Sequence, residues 1–181
     1  MRLLFGASIT LFIIVIATGM AKATPRVESS FIDIDKDCVV VSSATENAPI
    51  DFFESECRSF GGYQLSIKGS DLRYSPRLSY LGREIELLRP MSFHDMNDSQ
   101  IEWIYSLEVD EEGSGQIEWR GLIYQLSVAD NDEEDENSIG DRPVYYAVRL
   151  QGEQTCVIGT VVSAEEARVL IADPATPCLE Q

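Results

Sequence analysis

Period-two alternation of apolar and polar residues, broken by turn residues, restricts the fold of this chain more than any other feature. Ile101, Trp103, Tyr105, Leu107 and Val109 alternate with Glu102, Ser106 and Glu108. Successive side chains of a strand point to opposite faces, so this segment reads as a half-buried strand. Residues 110–115 supply a turn, and Ile117 and Trp119 resume the alternation. Beyond Gly121 it continues through Leu122, Tyr124, Leu126 and Val128, with a bulge or kink expected at the glycine. Val144 to Leu150, the turn 151–154 and Thr155 to Val162 form a second hairpin. Tyr63, Leu65 and Ile67 mark a further strand, and Val39 to Val41 a short apolar one. Strands of this kind suit an antiparallel sheet with one wet face better than a parallel sheet, which is apolar on both faces.

One helix is well signalled. Ser163 caps it, Glu166 three residues later completes a capping box, and Asp173-Pro174 ends it after Ala167 to Ala172. The expected fold is therefore α+β: a mainly antiparallel sheet built from hairpins, with a C-terminal helix. The tetrad Gln-Ile-Glu-Trp occurs at 100–103 and at 116–119, which reads as two similarly patterned strands rather than a solenoid repeat.

The N-terminus sets the compartment. Arg2 precedes an almost uncharged apolar run from Leu3 to Met20, and Ala21-Lys22-Ala23 has the small-x-small form that signal peptidase reads. Residues 1–23 are thus expected to be an export signal, with 24–181 forming one periplasmic or extracellular domain. The competing reading is an uncleaved anchor; the single flanking arginine, the small residues at 21 and 23, and Pro25 favour cleavage. All four cysteines, Cys38, Cys57, Cys156 and Cys178, lie beyond that site. In an oxidising compartment an even number reads as two disulfides. Three connectivities are open; Cys38–Cys57 and Cys156–Cys178 are favoured because each closes a short loop.

The formal net charge is −17, and losing Arg2 and Lys22 with the signal makes it two units more negative. Such a surface repels nucleic acid and anionic headgroups, whose binding relies on Lys and Arg. It attracts cationic proteins and divalent cations, with solubility of an exported protein as the simpler role of the excess charge.

Candidate chemistry is sparse. Residues 130–137 are an acidic run suggestive of calcium, but an EF-hand frame started at Asp130 puts Asp135 at the turn glycine and Asp141 at the closing glutamate. A frame on Asp33, Asp35 and Asp37 puts Cys38 at that glycine. A solvated acidic loop is the reading adopted. His94 is the only histidine, no Gly-x-Ser-x-Gly elbow is present, and no C-x-x-C pair provides a zinc site, so no catalytic residue, metal ligand or cofactor is assigned. Asp71-Leu72-Arg73 and Glu118-Trp119-Arg120 each place an acid and a base two apart, on one face of a strand. Asp71, Arg73, Glu118, Trp119 and Arg120 are the candidate ligand or partner surface, with cross-strand ion pairing as the simpler role.

Cys57 shortly before Gly61-Gly62-Tyr63, then Asp71-Leu72-Arg73, Ile117-Glu118-Trp119-Arg120, and Cys156 leading through a helix to Cys178 form a recognisable series. In these motifs the chain resembles a family of small exported proteobacterial proteins with four cysteines and no established activity. The resemblance implies an envelope location and four structural cysteines, and no mechanism. The acidic insert at 130–137 and the low lysine content depart from it. The functional expectation is a non-catalytic binding protein, an inhibitor or adaptor for a cationic secreted protein such as a lysozyme. An acid-residue hydrolase and a calcium-binding structural domain are the alternatives.

Overall fold

The chain forms strands β1 (Arg26–Asp33), β2 (Cys38–Ser43), β3 (Phe52–Cys57), β4 (Tyr63–Ser70), β5 (Arg73–Tyr80) and β6 (Arg83–Ile85). Strands β7 (His94–Asp95), β8 (Gln100–Val109), β9 (Gly115–Asp130), β10 (Gly140–Arg149) and β11 (Cys156–Val161) follow, with helices α1 (Ile34–Asp37) and α2 (Ala164–Ala172). The structure is a computed structural model and describes residues 26–45, 52–70, 73–88, 94–96, 100–109, 113–130 and 140–180. The expected export signal (1–23), Asp71 and almost all of the acidic run 130–137 lie outside the described residues.

The strands form two five-stranded antiparallel sheets, β1-β8-β9-β10-β11 and β2-β3-β4-β5-β6. Strand β7 joins them at one corner, antiparallel to β9 and parallel to β5 through Arg73 and His94. The sheets pack face to face. Tyr63, Leu65, Ile67 and Leu78 from one meet Trp103, Leu122, Leu126 and Val148 from the other, all buried. The alternation in β8, β9 and β4 thus delivers most of the expected side chains to the core, but Val109 and Ile117, expected on the same face, are 46% and 52% exposed. The kink expected at Gly121 is a bulge: Ile104 pairs with Gly121 and Tyr105 with Trp119, leaving Arg120 as the extra residue.

The expectation of one wet face fails for the first sheet. Its outer face carries a second apolar cluster, Ile104, Ile123, Ala147, Cys156 and Ile158, covered by α2 through Ala167, Leu170 and Ile171. The architecture is thus three layers, sheet on sheet on helix. Two glycines set how closely α2 lies. A Cβ on Gly159 would come within 2.4 Å of Leu170 Cδ1, and one on Gly121 within 2.6 Å of Ile171 Cγ2. Ser163 Oγ accepts from the Glu166 N–H at 3.3 Å, and the Glu166 carboxylate accepts from the Val162 N–H, one residue upstream of the expected box partner.

Both disulfides are the short-loop pairs, Cys38–Cys57 and Cys156–Cys178. The first joins residues directly opposite across the β2–β3 ladder. The second returns the C-terminal tail to β11, where the Leu179 N–H donates to the Val157 carbonyl at 2.8 Å. Arg149 donates to the carbonyls of Thr176 at 2.6 Å and Asp173 at 2.8 Å, fixing the same tail. Each closed loop is worth about 3 kcal/mol in the chain-entropy account of disulfides.

Candidate interaction surfaces

Of the residues predicted as a partner surface, the described ones, Arg73, Glu118, Trp119 and Arg120, do not converge. Glu118 and Arg120 do share a face: Arg120 Nη2 lies 2.9 Å from Glu118 Oε2, and its Nε donates to Ser106 Oγ at 2.9 Å. The pair is largely exposed, and pairs of this kind are worth about 0–1 kcal/mol. Trp119 turns to the opposite face. It packs between Phe60 (4.6 Å between centroids), Tyr105 (5.0 Å) and Trp103 (5.9 Å). Gly61, at φ +56°, abuts the Trp119 ring, and a Cβ there would sit 2.2 Å from Cδ1. The Gly-Gly-Tyr motif is therefore a turn that seats the tryptophan. Arg73 is exposed at the end of β4–β5 remote from Tyr63 and Tyr80, so it does not join Trp119.

The sequence reading missed a buried charge on the outer face of β8. Glu102 is 5% exposed. Its Oε1 accepts from Ser29 Oγ at 2.5 Å and from Arg168 Nε at 2.9 Å, while Oε2 accepts from Arg168 Nη2 at 2.9 Å. Arg168 Nη1 reaches Glu165 at 3.0 Å. These carboxylates raise Arg168 above its ordinary value, the Glu102 hydrogen bond contributing most. A groove of about 200 Å³ lies alongside, walled by Phe31, Gln125 and Tyr145. The fork geometry saturates the carboxylate, so its chemistry is that of a tether between α2 and β8 rather than of a general acid or base. The only sequence signal was an arginine in the helix, sixty-six positions from its partner.

Asp33 and Asp37 are engaged within the turn that α1 forms. Asp33 Oδ1 accepts from the Asp35 N–H at 3.2 Å, Asp37 Oδ2 accepts from the Asp33 N–H at 2.9 Å, and Lys36 pairs with Asp33. The Lys36 hydrogen bond holds the Asp33 carboxyl below its ordinary value. Among the described residues, no group of three or more His, Cys, Asp or Glu side chains is placed to hold a metal ion.

The second sheet presents a polar outer face. Lys68 pairs with Glu54 at 3.1 Å and Arg77 with Glu84 at 2.9 Å, over a shallow depression of about 250 Å³ that also includes Glu56 and Gln64. Cations elsewhere are engaged similarly: Arg26 with Glu28, Arg83 with Glu153, Arg120 with Glu118, and Arg168 with Glu102 and Glu165. Arg58 stacks over Phe60. Exposed carboxylates outnumber them, including Asp35, Asp37, Glu56 and Glu108.

One edge is also open. Among the described residues β2 pairs with β3 alone. Val39, Val40 and Val41 are 69%, 61% and 53% exposed, and Phe52 on β3 is 42% exposed. Consecutive strand residues face opposite ways, so among the described residues neither face of β2 is covered.

No family model, curated protein or solved structure matches the chain. Among the described residues no helix is long and apolar enough to cross a membrane.

Proposed function

We propose that the protein is a non-catalytic binding protein of the periplasm or extracellular space that captures a cationic secreted protein, acting as its inhibitor or adaptor. A lysozyme is the kind of partner meant. The observation that carries this reading is the disposition of charge. Arg26, Lys36, Lys68, Arg77, Arg83, Arg120 and Arg168 are each paired with a carboxylate of the same chain. A cation compensated locally adds little to the distant field, so that field is set by the surplus acid of a −17 chain. Complementary charge of this kind accelerates encounter and selects among partners more than it deepens affinity. The two disulfides, of the kind formed where thiols stay oxidised, support an exported location.

The test is titration of the oxidised protein with lysozyme, and with an acidic protein of similar size, at low and at physiological ionic strength. Binding of lysozyme alone, with an association rate that falls steeply as salt is added, is the expected result. No association, or equal association with the acidic protein, refutes the proposal.

A further inference from the structure

We infer that β2 is the docking element, and that a cationic partner contributes an extended strand that pairs with its open edge. This rests on the functional reading above and adds the place and mode of capture.

Exposed sheet edges are templates for another strand, and proteins ordinarily blunt them with charge, brevity or cover. The other edges here are protected in those ways. Strand β1 carries Arg26, Glu28 and Asp33, β6 has three residues, and β11 receives the Leu179 N–H of the disulfide-held tail. Strand β2, Cys-Val-Val-Val-Ser-Ser, has no charged side chain. Its bulge, between Val40 and Ser42, limits an added strand to a short one but leaves all three valines exposed. The Cys38–Cys57 bond clamps the start of β2 to β3, so the edge is held extended before a partner arrives. A fixed strand loses little conformational freedom on pairing, which favours addition.

Charge selects the occupant. Asp35 and Asp37 are exposed just before β2. Glu56 lies opposite Val39 on the neighbouring strand. A strand added to β2 would run about 10 Å from β3, two inter-strand spacings, within reach of lysine or arginine side chains laid across the valines. A second copy of this chain would instead bring two such sets of carboxylates together, each on a −17 protein. The recognised chemistry is thus a short extended segment alternating basic and apolar residues, bound by main-chain pairing as in other strand-addition complexes.

The experiment measures amide hydrogen exchange of the oxidised protein with a capped peptide of alternating lysine and valine, with its glutamate–valine counterpart, and with lysozyme. Slowed exchange confined to residues 38–43 with the lysine peptide, and none with the glutamate peptide, is expected. Val40→Lys should weaken the lysine peptide about tenfold, whereas Val169→Lys, the same change at an exposed helical site, should alter it less than about twofold. Equal loss in both variants shows a diffuse electrostatic effect and overturns the inference. So does protection located elsewhere, equal binding of both peptides, or protection of 38–43 that grows with protein concentration alone. Lysozyme that binds without protecting 38–43 removes this docking mode and leaves the functional proposal intact. Lysozyme that fails to bind while the lysine peptide protects β2 removes the functional proposal and leaves the edge site.

Discussion

Replacing Arg168 by methionine keeps most of the side-chain volume on α2 and strips Glu102 of its counterion. Glu102 is 5% exposed, and three of its four hydrogen bonds come from Arg168, at 2.9, 3.1 and 2.9 Å. Only Ser29 Oγ would remain. Removing one partner of a fully buried pair costs about 3–5 kcal/mol. The Arg168 side chain is 41% exposed, so water reaches the site and the lower figure of about 2–3 kcal/mol applies. For a domain of this size that corresponds to a fall in melting temperature of about 4–12 °C. Glu102→Gln keeps the shape and leaves an arginine that solvent can hydrate, so it should cost about 1 kcal/mol. The double variant buries no unpaired charge and should be more stable than the sum of the singles by about 1–2 kcal/mol. Urea unfolding followed by tryptophan fluorescence measures all four proteins, because Trp103 is fully buried. An Arg168→Met midpoint within about 0.5 kcal/mol of the parent, the range of ordinary surface changes, refutes the assignment. Strict additivity of the two singles refutes it equally.

Cys156→Ser with Cys178→Ser should lower stability by about 3 kcal/mol and admit protease between α2 and the C-terminus, read by urea midpoint and by mapping the first cleavage. The Tyr146 hydroxyl is raised above the ordinary tyrosine value by burial, with Arg142 pulling the other way. The folded form keeps this proton where the unfolded chain has released it, so stability is unaffected at neutral pH and declines as pH rises above about 10. Tyr146→Phe should flatten that alkaline decline in a series of urea midpoints; an unchanged slope removes Tyr146 as its source. Tyr105, raised chiefly by its hydrogen bond to Glu28, contributes in the same direction. Gly61→Ala, strained at φ +56° and driven into Trp119, should cost about 1–3 kcal/mol and shift the tryptophan emission.

What the sequence could and could not reveal follows from the range of each interaction. Alternation is local, so Leu122, Tyr124 and Leu126 were readable as core, and Gly121 as a kink. The disulfides were readable because each links residues brought together by an adjacent ladder or by the tail after the helix. Alternation says nothing of a second covering layer, and for that reason Glu102 reads as solvent-facing until α2 is placed over it. The same blindness applies to Trp119: its spacing from Glu118 and Arg120 is legible, but its seat against Gly61 depends on a turn more than fifty residues earlier. Helix α1 has four residues and β7 two, too few to show any period. Three consecutive valines mark β2 as a strand, yet only the topology shows that among the described residues it ends a sheet with its valines exposed.

Salt separates the two uses this chain makes of charge. Ion pairs across the ladders, such as Glu54–Lys68 and Arg77–Glu84, offset repulsion locally, and the surplus acid is left to repel itself over the whole surface. Exposed pairs are individually worth about 0–1 kcal/mol, so screening them costs little. Screening the self-repulsion of a −17 chain gains more, since that energy grows steeply with net charge. Raising ionic strength from low to physiological shortens the Debye length to about 8 Å and should therefore raise the melting temperature. The same change should weaken capture of a cationic partner. Opposite salt dependences of folding and binding are thus the expected signature of acid held in surplus for a partner. A melting temperature that falls with added salt would mean that the internal pairs outweigh the repulsion, and the surplus on which the binding proposal rests would not exist as an available field.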